Sequence, residues 1–87
     1  MAKIEIYTNP LCGYCHAAKQ LLNSKGLEYS EYDVMFDSDR KAEMLERSNG
    51  RWTVPQIFID SVGIGGFDEL YDLQSKNKLD ELLDLGV

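Results

Sequence analysis

The chain has 87 residues, 44% hydrophobic and 28% charged, with a formal charge of −6. That length can bury one core and not a second, and no segment approaches the ~18 consecutive apolar residues of a membrane-spanning helix. The nine basic residues are scattered among fifteen acidic ones, which disfavours nucleic acid and anionic membranes as partners and leaves an acidic surface that serves solubility.

In chain order, Lys3-Ile4-Glu5-Ile6-Tyr7-Thr8 alternates polar and apolar residues, with β-branched and aromatic side chains, and reads as a strand. Asn9-Pro10 breaks it. From Gly13 to Lys25 the apolar residues Tyr14, Ala18, Leu21 and Leu22 recur at helical spacing, with His16, Lys19, Gln20 and Asn23 on the wet face and Gly26 as a stop. Leu27–Val34 alternates more weakly and suits a second strand. Asp37–Ser48 opens on good helix-starting residues, turns Ala42, Met44 and Leu45 inward and ends at Asn49-Gly50.

Val54–Asp60 is the most strand-like run, with Pro55 admissible only at its start or on an edge. A tight turn over Ser61–Gly63 leads to Ile64, which makes the last two strands an antiparallel hairpin. Gly65-Gly66 precedes a helix over Phe67–Gln74 with Phe67, Leu70 and Tyr71 on one face, and Lys78–Leu85 adds a further helical segment. The order β-α-β-α-β-β-α is a single α/β domain over 1–87 with a mixed sheet.

The chemistry concentrates in Cys12-Gly13-Tyr14-Cys15-His16, the two cysteines of the chain with its one histidine. Thiols three residues apart can face each other across one helical turn, so a disulfide can close and reopen. The same letters spell a c-type haem attachment motif, and two cysteines with a histidine could belong to a metal site. A structural zinc wants four ligands, and no second pair exists. The motif follows a strand and opens a helix inside a βαβ unit, the setting in which Cys-x-x-Cys performs dithiol redox work.

Cys12, at the first residue of the helix, gains from the free N–H groups and the helix dipole there, which favour a negative sulfur; Cys15, one turn in, feels less of that field. Cys12 is therefore the attacking thiolate and Cys15 the resolving thiol. The first twenty residues hold no uninterrupted apolar stretch with a small-residue cleavage pattern, so a cytoplasmic address is expected, where cysteine pairs are more often catalytic than structural.

Four stretches together carry a resemblance over nearly the whole chain. They are Ile6-Tyr7-Thr8, Cys12-x-Tyr14-Cys15, Thr53-Val54-Pro55-Gln56-Ile57-Phe58-Ile59-Asp60 and Ile64-Gly65-Gly66-x-Asp68-x-Leu70. The sequence resembles the bacterial dithiol glutaredoxins. The resemblance implies a thioredoxin-like fold, a four-stranded mixed sheet flanked by helices, and a glutathione-dependent thiol–disulfide oxidoreductase. Implied partners are glutathione and glutathionylated or disulfide-containing proteins, with ribonucleotide reductase a family-level expectation, for a monomer with no tightly bound cofactor.

The resemblance also implies a glutathione site. Thr53, Val54 and Pro55 would form a loop with a cis Val54–Pro55 peptide whose valine backbone pairs with the cysteinyl part of glutathione. Gly66 and Phe67, at a helix start, would offer N–H groups to the γ-glutamyl carboxylate, with Gly65-Gly66 allowing close approach. Asp68 would accept from the γ-glutamyl ammonium, and Tyr14 belongs to the same site.

Two positions depart from the family pattern. Asn9 stands where a lysine is common, leaving Lys19 and Arg51 as candidate cations for the glycine-end carboxylate, with Trp52 beside them. Gly13 replaces the motif proline, restoring an N–H and backbone freedom near Cys12. Relatives lacking that proline include proteins in which two chains share a [2Fe–2S] cluster through one cysteine each, here Cys12, and two glutathiones; this is the alternative reading.

Overall fold

A computed structural model describes residues 2–83. Five residues, Ile4–Thr8, form β1, all buried; α1 runs over Gly13–Ser24, β2 over Ser30–Asp33 and α2 over Ser38–Arg47. They are followed by β3 (Gln56–Ile59), β4 (Val62–Gly65), α3 (Phe67–Ser75) and α4 (Lys78–Leu82). The sheet order is β2-β1-β3-β4, with β1 parallel to β2 and antiparallel to β3, and β3 antiparallel to β4. This is the four-stranded mixed sheet of the thioredoxin-like fold.

Side chains alternate across the sheet, so the two faces carry different cores. Ile4, Ile6, Ile57 and Ile59 meet Ala18 and Leu22 of α1, Leu70 of α3 and Leu79 of α4 on one face. Tyr7 and Phe58 point the other way and meet Val34, just past β2, and Met44 of α2. Each fully buried Leu or Ile contributes roughly 1.5–3 kcal/mol relative to exposure, so the first face holds most of the apolar stabilisation.

Several boundaries shift for local reasons. The second strand is shorter than its pattern because the α1 exit consumes Leu27, whose N–H still bonds back to Leu22 (3.2 Å) while Gly26 takes φ +69°. The hairpin turn is Asp60-Ser61, both at positive φ, so Val62 and Gly63 are already in β4 rather than in the turn. Asn77 at φ 59° separates α4 from α3, and the end of the expected Lys78–Leu85 segment lies outside the described residues. One inward assignment also fails: Ala42 is exposed, leaving Met44 to anchor α2. On the Phe67, Leu70 and Tyr71 face of α3, Leu70 is the buried anchor while Tyr71 is exposed.

The second face hides a polar network. Glu5 is buried in mid-strand and receives both Arg47 guanidinium branches at 2.9 and 3.1 Å, while Tyr32 donates to it at 3.0 Å. Arg47 also donates to the Tyr7 hydroxyl at 2.7 Å, Tyr7 donates to Glu43, and the guanidinium lies 4.1 Å over the Phe58 ring. The Arg47 hydrogen bonds hold the Glu5 carboxyl below its ordinary pKa of 4.5 despite burial, and burial with the Glu43 bond pushes Tyr7 up to about 12.

Candidate active site

The turn between β1 and α1 is tied by Asn9. Its side-chain oxygen accepts from Leu11 N–H (2.8 Å) and its carbonyl from Cys12 N–H (3.0 Å). The residue that lacks the family lysine's charge thus shapes the loop that delivers the cysteine. His16, exposed on α1, places Nε2 3.1 Å from the Pro10 carbonyl and braces the same loop.

Cys12 is the N-cap of α1, one position earlier than expected, with Gly13 the first helical residue. Its Sγ accepts from Cys15 N–H at 3.3 Å, a donor that stabilises negative charge on sulfur, and lies 3.6 Å from the Val54 carbonyl. The backbone donor is thus that of Cys15 rather than of Gly13. A Cβ at Gly13 would meet nothing within 4 Å, so glycine there is not a packing requirement.

Both cysteines are free thiols. Cys15 is only 1% exposed, and burial, reinforced by the neighbouring Cys12 sulfur, pushes its thiol up to about 12. At neutral pH it is protonated, while Cys12, half-buried at the helix end, is the accessible sulfur. The pair is asymmetric in the sense that a nucleophile and a reserve thiol require.

Beside Cys12 runs a groove of about 220 Å³, lined by Tyr14, Arg51, Thr53, Val54, Pro55, Gly66, Phe67, Asp68 and Glu69. It draws its walls from α1, the α2–β3 loop and the start of α3. The Val54–Pro55 peptide is cis. Tyr14, expected on the core-facing stripe of its helix, is instead 64% exposed and leans on Phe67 with ring centroids 6.1 Å apart, forming one end of the groove.

Lys19 lies outside the groove. Its ammonium is 2.9 Å from Glu31 on β2, which raises its pKa, and Thr8 donates to the same carboxylate oxygen at 2.7 Å. Burial works against the Glu31 charge, but these two donors outweigh it and hold the carboxyl below its usual range. Trp52 also faces away, lining a separate cleft on the far side of Thr53-Val54. Arg51 is therefore the cation in the groove.

Glu69 is the groove residue that sequence reasoning missed. Its Oε1 accepts from Arg51 (3.0 Å) and from Gly66 N–H (3.3 Å), joining the loop to the N-terminus of α3. The Gly66-x-x-Glu69 spacing, that of a capping box with glycine at the cap, was the available signal. Gly65, at φ +112°, is held against this carboxylate: an added Cβ would lie 2.5 Å from Glu69 Oε1. Gly65→Ala is expected to cost about 1–3 kcal/mol through backbone strain and displacement of Glu69, read as a lowered thermal midpoint.

Among the described residues no group of three or more His, Cys, Asp or Glu side chains comes together to hold a metal ion, and nothing in the geometry favours the cluster alternative over dithiol chemistry. Nor, among the described residues, is any helix long and apolar enough to cross a membrane.

A family model described as glutaredoxin matches residues 4–64. Glutaredoxin 3 of Escherichia coli K12 is 52% identical over 83 residues, spanning 95% of this chain and 99% of that protein. The solution structure of a glutaredoxin from Brucella melitensis superposes with a TM-score of 0.83 at 52% identity, over 100% of this chain and 94% of that one. The crystal structure of a buckwheat glutaredoxin–glutathione complex superposes with a TM-score of 0.84 at 29% identity, over 95% and 77%. Sequence, fold and an asymmetric cysteine pair at a helix N-terminus agree: the chain belongs to the glutaredoxin family as a dithiol thiol–disulfide oxidoreductase, with glycine in place of the motif proline.

Proposed function

We propose that this protein draws its electrons from glutathione and reduces both glutathionylated proteins and protein disulfides, acting as a single-domain monomer in a reducing cytoplasm. The observation that carries this reading is the groove beside Cys12, which gathers every expected glutathione-site residue except Lys19. The buckwheat relative, solved with glutathione bound, supports the same ligand.

In the proposed cycle the Cys12 thiolate attacks the glutathione sulfur of a protein mixed disulfide. The new bond is Cys12–S–S–glutathione, and the protein leaves as a thiolate that takes a proton from water. A second glutathione thiolate attacks the bound glutathione sulfur, releasing oxidised glutathione and regenerating the Cys12 thiolate. With a protein disulfide, Cys12 forms the mixed disulfide, Cys15 attacks the Cys12 sulfur as it loses its proton, and the substrate leaves as a dithiol. Two glutathiones then reduce the Cys12–Cys15 disulfide.

In the bound state the Val54 backbone pairs with the cysteinyl part of glutathione, and the α3 N-terminus at Gly66 and Phe67 receives the γ-glutamyl carboxylate. Asp68 takes the ammonium, and Arg51 turns from Glu69 to the glycine carboxylate. Tyr14 and Phe67 close the end of the groove.

Initial rates of reduction of a small glutathione mixed disulfide, followed against glutathione concentration, test this. Arg51→Gln is expected to raise KM for the glutathionylated substrate roughly three- to tenfold with kcat little changed, the value of one partly exposed charge-assisted contact. A protein that ignores glutathione and turns over only with a flavoenzyme donor would contradict the reading.

A further inference from the structure

Thr53-Val54 is a wall with two sides. The groove lies on one; on the other is a larger cleft of about 740 Å³ whose walls include Asn9, Met35, Phe36, Lys41 and Trp52. Phe36 and Trp52 are 78% and 73% exposed, and Leu11, next to Cys12, is 81% exposed. Large apolar side chains left this open around a reactive atom mark a surface that meets another molecule.

The presentation is fixed rather than loose. Asp33 Oδ1 accepts from the N–H groups of Met35 (2.7 Å) and Phe36 (3.2 Å), which holds the β2–α2 loop in place. The charge is local as well. In a chain of net charge −6, the cleft lining carries a lysine and no carboxylate. Six of the nine cations are engaged in ion pairs; Lys41 forms none among the described residues.

We propose that this cleft binds the polypeptide arm of the protein substrate, preferring segments that carry an aromatic or aliphatic residue and a carboxylate beside the oxidised cysteine. The inference rests on the glutathione-dependent reading above. With glutathione between the Thr53–Pro55 wall and Phe67, the polypeptide half of a mixed disulfide must leave Cys12 elsewhere. The cleft shares Val54 with the reactive sulfur, offers apolar contact through Phe36 and Trp52, and supplies in Lys41 a free positive partner. A lysine-bearing segment would bring a like charge to it.

The test compares three substrates. One is a glutathionylated peptide with Leu and Glu flanking its cysteine, the second is the same peptide with Lys for Glu, and the third is a small glutathione mixed disulfide with no polypeptide arm. Lys41→Glu is expected to lower kcat/KM for the acidic peptide about fivefold, to raise it for the basic one, and to leave the small substrate within about twofold; added salt should erase the discrimination. Phe36→Ser should lower both peptides about fivefold and spare the small substrate.

Equal effects on all three substrates, or no difference between the peptides, would overturn the proposal while leaving glutathione dependence intact. If the wild-type protein fails on the small glutathione mixed disulfide, the glutathione reading fails first and this inference falls with it.

Discussion

Replacing Cys12 by Ser is expected to reduce turnover of every disulfide substrate by at least about a thousandfold, because a serine hydroxyl supplies almost no anion at neutral pH and cannot form the mixed disulfide. Cys12 caps α1, receives the Cys15 N–H and borders the groove; the chain's other thiol, Cys15, is buried and cannot take its place. Cys15→Ser should act selectively. It leaves the nucleophile and its groove intact, so removal of glutathione from a protein continues through a second glutathione, while reduction of protein disulfides falls sharply without a resolving thiol. Parallel assays on a glutathionylated peptide and on a disulfide-bonded protein check this, and equal loss on both would refute the division of labour. In the wild-type protein Cys15 stays protonated through the neutral range, since burial pushes its thiol up to about 12. Alkylation near pH 7 should therefore mark Cys12 alone.

The second large effect concerns stability. Arg47→Met is expected to destabilise the fold by about 3–5 kcal/mol, because it leaves the Glu5 carboxylate buried in the central strand without its bidentate partner. Denaturant unfolding followed by circular dichroism measures it. The pH dependence gives a separate signature. In the wild-type protein the Glu5 pKa is held below 4.5, so its contribution is present above that value and lost as the pH falls through the lower, folded-state pKa. In the variant the unpaired, buried carboxyl has its pKa raised instead and prefers to be protonated, which favours the folded state in acid. The gap between the two proteins should narrow as the pH drops below the ordinary carboxylate range. Glu5→Gln in the Arg47→Met background should recover part of the loss, and a gap independent of pH would show that packing rather than charge is responsible.

This network marks a boundary of what the sequence discloses. Alternation in Lys3-Ile4-Glu5-Ile6 assigns Glu5 to a wet face, and on an ordinary half-exposed strand that would hold. Here β1 is central, α2 covers its second face, and Arg47 from the end of that helix neutralises what the strand buries. The pairing spans 42 residues of chain, so no local pattern encodes it. Tyr14 fails for a related reason: helical spacing sorts apolar from polar residues but does not separate a core stripe from an aromatic rim around a groove.

What periodicity and spacing do encode came through. The chain order of the strands and first three helices, the antiparallel hairpin and the helix-end position of the cysteine pair were all readable from strand alternation, helical spacing and turn residues. The groove beside Cys12 was not readable from any one segment, because its walls come from three separate parts of the chain; the family resemblance brought them together. Between Lys19 and Arg51 the sequence could not choose, since each is a cation near a motif and the carboxylate each one pairs with lies 12 or 18 residues away in the chain. Structure distinguishes them through their partners: Lys19 is committed to a carboxylate on β2, whereas the partner of Arg51, Glu69, lies in the groove itself.

Gly13 also changes meaning. Space around it is open and the donor to the Cys12 sulfur comes from Cys15, so the missing proline alters the freedom of the first helical turn more than the contacts of the nucleophile.

The central claim, that Cys12 is the sulfur that exchanges with glutathione, is tested most directly by trapping. The Cys15→Ser protein, incubated with oxidised glutathione and analysed by intact mass followed by peptide mapping, should carry one glutathione, attached to Cys12 and removed by added reduced glutathione. Failure to form any adduct in the folded variant would contradict the account.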